Sequence, residues 1–294
     1  MPAWRPDALL LGPGGIRGFV ELGALLCLES VGFLSEVSEI MGISIGAFIG
    51  LLWLCDYKAI DIIQECIYLS LLNGNTSLLD TNIVSEVSRI VEESWGIFGN
   101  QKLEDHLNRL VSRRWGTIPT LLELYKSTNK KLTCVSVNFD TGQVEDLNYI
   151  NNPDLSCVKA ALMSGSIPGI LEKLNYNNCT YIDGALRDPY PINRFPKERR
   201  VLGIYVSSEQ FPATVRPGEP RLVAMLRFAL QAYSSPVNEL HKRSMLAASP
   251  SCRHLVLPQV TVDTTGITVS YETKISMIGA GYHSTKQFLK RVVE

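Results

Sequence analysis

The only G-x-S-x-G in this chain is Gly42-Ile43-Ser44-Ile45-Gly46, and it falls where an apolar run gives way to a helical pattern. A serine there acts as a nucleophile only if a sharp turn lifts its hydroxyl clear of the sheet and a base accepts its proton. Glycines two before and two after it remove the Cβ atoms that would clash in such a turn. The helix that follows aims its positive N-terminal end at charge developing beside the serine. The bland alternative for the same five residues is a Gly/Ser-rich helix cap.

Acyl chemistry at a serine also needs an oxyanion site and a base. The stretch Gly12-Pro13-Gly14-Gly15 exposes backbone N–H groups with no side chains in the way, and Gly14 and Gly15 are the candidate donors. Arg17, two places on, is open to three readings: a brace for the loop, a phosphate attractor, or a solvated side chain. Dinucleotide binding is the rival for the loop as a whole. Gly12 and Gly14 do begin a G-x-G-x-x-G, but Arg17 stands at the third required position and Gly18 comes one place late. No G-K-[ST] closes the run, so a phosphate-binding P-loop fails too.

For the base, His241, His254 and His283 all follow Ser44, yet none sits in a marked turn, and a lone histidine is more often a surface or satisfied core residue. The usual α/β-hydrolase order also puts several parallel strands before its nucleophile. Each crossover takes about a dozen residues, and the 43 residues before Ser44 leave no room for them. Asp183 ends the apolar stretch "CTYID" just before Gly184-Ala185. Alone it reads as an ordinary Asp-Gly turn. With the glycine loop and the serine motif it completes a set.

The elements that must position this set follow from periodicity. Residues 7 to 11 read as a short buried strand, and "RGFVELGALLCLESVG" as a helix stopped by Gly32. The unit repeats with "EVSEIMG", the turn at Ser44 and "GAFIGLLWLCDY". Two strand-to-helix units predict a mainly parallel sheet with helices on its faces. Residues 57 to 128 read as helical, with stripes Ile83, Val87, Ile90, Val91, Ser94 and Leu103, Leu107, Leu110, Val111 that suit core packing. Strands are expected at "KLTCVSVNFD", "QVEDLNYI", "CTYID" and "RVLGIYVS", the first two as a hairpin across Gly142. Helices are expected at "SCVKAALMSGS", near 219 to 247 and over 274 to 293, with "HLVLPQ" between the last two. No clean linker or repeat interrupts the chain, so one domain over 1–294 is favoured.

Composition narrows the class. Apolar residues make up 46% of the 294 residues, enough for a substantial core. With 28 basic and 29 acidic side chains, no overall field favours nucleic acid, and the cluster "KERR" at 197–200 reads as a solvated turn. Seven cysteines without a C-x-x-C suit packing as free thiols in a reducing compartment. No signal peptide is visible, and "IGAFIGLLWLC" is too short to span a bilayer. A cytoplasmic protein is expected, with the sequons at Asn75 and Asn178 read as chance matches.

The ordered set "GGIRG" at 14–18, "GISIG" at 42–46 and "DGA" at 183–185 resembles the patatin-like phospholipase family. "VELGALLCLE" and "GSIPGI" are similar to that family's connecting segments. The resemblance spans residues 7 to 192; residues 193–294 match only loosely. It implies a three-layer α/β/α fold and hydrolysis of fatty-acyl esters of phospholipids, phospholipase A-type, without a cofactor or metal. On these positions it implies Ser44 as nucleophile, Asp183 as base, and Gly14 and Gly15 in the oxyanion hole. Gly12, Ile16, Arg17, Gly18, Gly42, Gly46, Gly184 and Ala185 are the supporting motif positions. Pro13, Ile43 and Ile45 depart from common members of the family, the isoleucines bearing on the shape of the acyl pocket.

The implied partner is a phospholipid or other acyl lipid at a membrane surface, met without crossing it. "RLVAMLRFALQAY" at 221–233 suits core burial or, on the sharper reading, an interfacial lid. A non-catalytic lipid-binding or structural descendant and another serine hydrolase, such as a thioesterase, are the competing functions.

Overall fold

The structure, a computed structural model, describes residues 4–68, 96–207, 221–260 and 269–293. The stripe at Ile83 to Ser94 and the Asn75 sequon lie outside the described residues, as do most side chains of 221–233.

The short apolar run becomes β1 (Ala8–Leu11), buried at all four positions. Successive side chains point to opposite faces, so Leu9 and Leu11 enter the larger core while Ala8 and Leu10 enter the smaller one. Burial on both faces is why this strand is uninterruptedly apolar. It pairs in parallel with β2 (Glu39–Ile43) on one side and β9 (Val201–Val206) on the other. β10 (Arg253–Leu257) extends the sheet in parallel beyond β9, and β4 (Lys131–Asn138) does so beyond β2. β8 (Cys179–Asp183) and β5 (Gln143–Asn148) both run antiparallel to β4, and β7 (Leu174–Tyr176) runs antiparallel to β8. The path is β10-β9-β1-β2-β4-β8-β7, with β5 folded back on β4 as the hairpin read from the sequence.

One finding departs from the helical reading of 57–128. β3 (Gly96–Phe98) pairs with β6 (Gly169–Leu171) in a separate two-stranded ribbon. Three residues are too few to display a period of two, so only the distant partner defines such a strand.

Helices cover both faces. α1 (Gly18–Ser30), α2 (Ile45–Leu54), α3 (Ala59–Cys66), α4 (Gln101–Trp115), α5 (Leu121–Thr128), α6 (Cys157–Gly165) and α8 (Tyr271–Val293) feed the larger core. Leu107, Leu110 and Val111 are buried on α4, as their spacing predicts. The opposite face is covered by the segment after Asp183, through Ala185, Tyr190, Ile192 and Phe195, and by the end of α7 (Arg221–Leu246). This gives the mainly parallel α/β arrangement expected. The "KERR" arginines are engaged rather than merely solvated: Arg199 meets Asp7 and Glu39 at 3.4 and 3.2 Å, and Arg200 meets Glu36 and Asp7 at 2.8 and 3.3 Å.

Five of the seven cysteines are buried and all are free. Among the described residues, no helix is long and apolar enough to cross a membrane.

Candidate active site

β1 sits where connections leave in both directions, toward β2 and toward β9, and such a switch point opens a crevice at the carboxyl ends of the strands. The glycine loop leaves β1 there, and the serine turn leaves β2 beside it. Ser44 has φ 55° and ψ −124°, a conformation rare for a residue with a Cβ, at a cost of about 1–3 kcal/mol. The turn is tight because nothing fills it. A Cβ on Gly42 would stand 2.5 Å from the Ala47 Cα, and one on Gly46 would collide with the Leu11 carbonyl.

Two hydrogen bonds hold the strained residue. Its carbonyl accepts from the Ala47 N–H at 3.0 Å, and its own N–H donates to the Ser164 hydroxyl at 3.1 Å. That hydroxyl in turn donates to the Val135 carbonyl at 2.6 Å.

β4 brings Asp183 to the same place. Ile43, the neighbour of Ser44, pairs with Val135, and Asp183 pairs with the next residue, Ser136. β8 therefore continues along β4 from the point where β2 turns away. The Asp183 N–H donates to the Ser166 carbonyl at 2.9 Å, and the Ser136 hydroxyl donates to the carbonyls of Met163 and Ile182 at 3.1 and 2.9 Å.

Asp183 is 0% exposed and Ser44 only 4%. Oδ1 of Asp183 accepts the Ala185 N–H at 2.8 Å, while Oδ2 is buried with no hydrogen bond of normal geometry. Burial pushes this carboxyl up to about 6, against the Ser44 hydroxyl and the Ala185 amide, which pull it down. The serine hydroxyl is thus near enough to act on the carboxyl although no well-formed bond joins them. Such contacts are often loose before substrate binds.

The loop amides divide by elimination. The Gly12 N–H donates to the Ile204 carbonyl at 3.1 Å, completing the sheet, and Pro13 has none to offer. The Gly14 and Gly15 N–H groups meet no backbone acceptor among the described residues. Gly15 is exposed and takes φ +54°. Arg17 folds back onto the loop. Its backbone N–H and its Nε both donate to the Gly14 carbonyl, at 3.0 and 3.3 Å, as a brace would, and burial lowers its guanidinium pKa.

Gly18 lies against Ile45, locking the loop to the serine turn, and Ile16 packs partly against the core. Ile43 is fully buried in the smaller core. A Cβ on Gly184 would collide with the Val135 carbonyl, and Ala185 is fully buried.

None of the four histidines bonds to Ser44 or Asp183. His106 meets Arg109, His254 meets Tyr190, His283 meets Gln287, and His241 stacks on Tyr205. Among the described residues no group of three His, Cys, Asp or Glu could hold a metal ion. The serines at 136, 164 and 166 belong to no catalytic motif of the sequence. For Ser164 and Ser166 the signal is "SGS" at a helix end, where hydroxyls commonly serve backbone groups; Ser136, inside a strand, carries none.

The chain matches the family model of the patatin-like phospholipases over residues 9–195. It is 28% identical over 186 residues to a probable lipid hydrolase, 463L, of Invertebrate iridescent virus 6, a match covering 63% of this chain and 61% of that protein. It is 26% identical over 297 residues to the uncharacterized protein YqhO of Bacillus subtilis, covering 95% of this chain and 96% of YqhO. In fold it is similar to VipD from Legionella pneumophila, with a TM-score of 0.56 at 16% identity over 98% of this chain and 67% of VipD.

Proposed function

The chain belongs to the patatin-like phospholipase family of lipid hydrolases, and we propose that it cleaves fatty-acyl esters of phospholipids, as a phospholipase A-type serine esterase, through Ser44 and Asp183. The observation that carries this reading is the placement of the two groups. Ile43, next to the serine on its strained turn, and the buried Asp183 carboxyl, raised to about 6, pair with successive residues of one strand, Val135 and Ser136. A carboxyl near 6 is largely ionised at neutral pH and a better base than an exposed one.

In the proposed reaction the Asp183 carboxylate takes the Ser44 proton as Oγ attacks the ester carbonyl carbon. The developing oxyanion is met by the Gly14 and Gly15 N–H groups, with Arg17 holding the loop. Collapse expels the lysolipid oxygen, which takes the proton from Asp183, and leaves an acyl-serine. Water then gives a proton to Asp183 as its oxygen attacks the acyl carbon, and collapse breaks the bond to Ser44 Oγ, which takes that proton back from Asp183 as the fatty acid leaves. The substrate is met at a membrane surface, and apart from the hydrolytic water the steps use side chains and amides of this chain.

The test is intact-mass analysis after fluorophosphonate treatment, together with fatty-acid release from mixed phospholipid vesicles. A single adduct absent from Ser44→Ala, with hydrolysis by wild type but not Asp183→Asn, is expected. An adduct that persists in Ser44→Ala, or none in folded wild type, would overturn the assignment. Hydrolysis of thioesters in place of vesicle lipids would instead favour a different serine hydrolase.

A further inference from the structure

His241, on α7, is 1% exposed and wedged between two tyrosines. Its ring stacks on Tyr205, with centroids 3.3 Å apart and planes 16° from parallel, and meets Tyr190 edge-on at 4.2 Å and 63°. The two tyrosines come from two different segments next to the site, and their own rings meet edge-on at 6.2 Å and 70°.

Tyr205 follows Ile204, whose carbonyl receives the Gly12 N–H, and a Cβ on Gly12 would stand 3.6 Å from the Tyr205 Cα. The Tyr205 phenol is near enough to Arg17 to bear on its charge. Tyr190 lies on the segment that winds back on Asp183. Arg187 and Asp188 donate their N–H groups to the Gly184 carbonyl at 3.2 and 3.0 Å, and the Tyr190 amide lies near enough to the Asp188 carboxyl to bear on its charge. Tyr190 is fully buried because β9 has a glycine opposite it: a Cβ on Gly203 would overlap the phenol oxygen. That oxygen bonds to His254 Nδ1 at 2.9 Å.

We propose that His241 is a positioning residue for the reaction assigned to Ser44 and Asp183, its ring bracing the contact between the strand end behind the glycine loop and the segment leaving Asp183 by packing on a tyrosine from each. The inference rests on that assignment. The shape of the ring is what acts. Nε2 is buried and meets no hydrogen-bond partner among the described residues, and burial, with His254 adding to it, pushes the imidazole down to about 3, so it is neutral in ordinary buffers. With no charge or bond at Nε2 to exploit, the two aromatic contacts are what the side chain supplies.

The test compares wild type, His241→Ala, His241→Phe and His241→Leu as the 294-residue chain, each checked for folding by circular dichroism and thermal unfolding. The readouts are the fluorophosphonate labelling rate at Ser44, kcat and KM on mixed micelles, and hydrogen exchange over 12–18 and 184–194. Folded His241→Ala should label about tenfold more slowly, with KM within about twofold and faster exchange in both segments, since small displacements at reacting groups are costly. His241→Phe, which keeps both ring contacts, should recover labelling to within about threefold of wild type.

Wild-type labelling by His241→Ala, or no recovery by His241→Phe, overturns the positioning role alone. If His241→Ala does not fold, Phe and Leu are compared, and equal rates for the two overturn it. Wild type that fails to label at Ser44 overturns the underlying assignment and the positioning role with it.

Discussion

The Ser164 hydroxyl accepts the backbone N–H of Ser44 at 3.1 Å across 120 residues of sequence and donates its own O–H to the Val135 carbonyl. Two residues later Ser166 receives the Asp183 N–H, so one helix end fixes the backbone of both groups. Ser164→Ala should leave two buried backbone groups unpaired, at about 1–3 kcal/mol each, and free the strained turn. A fall of at least about 2 kcal/mol in urea unfolding and labelling slower by about tenfold are expected. Wild-type values for both would mean the turn supports itself.

Asp183 should cost stability at neutral pH. Its folded pKa of about 6 lies above its ordinary 3.8, so the unfolded chain releases this proton first as pH rises. Stability therefore falls between those values, by about 3 kcal/mol once both states are ionised. Asp183→Asn, which keeps an acceptor for Ala185, should be more stable than wild type at pH 7, with the gain shrinking toward pH 4. A gain equal at both pH values would show that the carboxyl is not raised.

The same value sets the rate profile. The base form of Asp183 grows as pH rises through about 6, so labelling and kcat/KM should climb there and level off above pH 7. Stopped reactions between pH 4.5 and 8 on protein shown to stay folded measure this. A flat profile would remove Asp183 as the base.

Two glycines should separate packing from loop geometry. Gly46→Ala drives a Cβ into the Leu11 carbonyl, backbone against backbone, and should lose more than about 2 kcal/mol. Gly15 has no atom within 4 Å of its missing Cβ, only φ +54°, so Gly15→Ala should lose about 1 kcal/mol and fold. Its labelling should nevertheless drop about tenfold or more, because a turned amide no longer faces the oxyanion. Full activity in Gly15→Ala would take that amide out of the site.

Arg17→Met keeps the apolar stem and removes the Nε bond to Gly14. Labelling should slow while stability stays within about 1 kcal/mol of wild type, since the lost hydrogen bond is offset by no longer burying a guanidinium. A large stability loss with unchanged labelling would make Arg17 a structural residue only.

What the sequence determined by itself is local. A serine turn between strand and helix needs glycines at fixed offsets, because backbone sterics act over a few residues, so Gly42, Ser44 and Gly46 could be read directly. The same holds for β1, α1 and the β4–β5 hairpin, whose periods and turn residues lie within one short window. The tertiary structure alone decided which distant groups meet. Ser164 reaches Ser44, β4 aligns Ile43 beside Asp183, and β3 exists only through β6. His241 gave no sign in the sequence of the two tyrosines it packs against, since they lie 51 and 36 positions before it. The basicity of Asp183 is of the same kind: the residue type supplies a carboxyl, and only the assembled fold removes the water that would hold its pKa low.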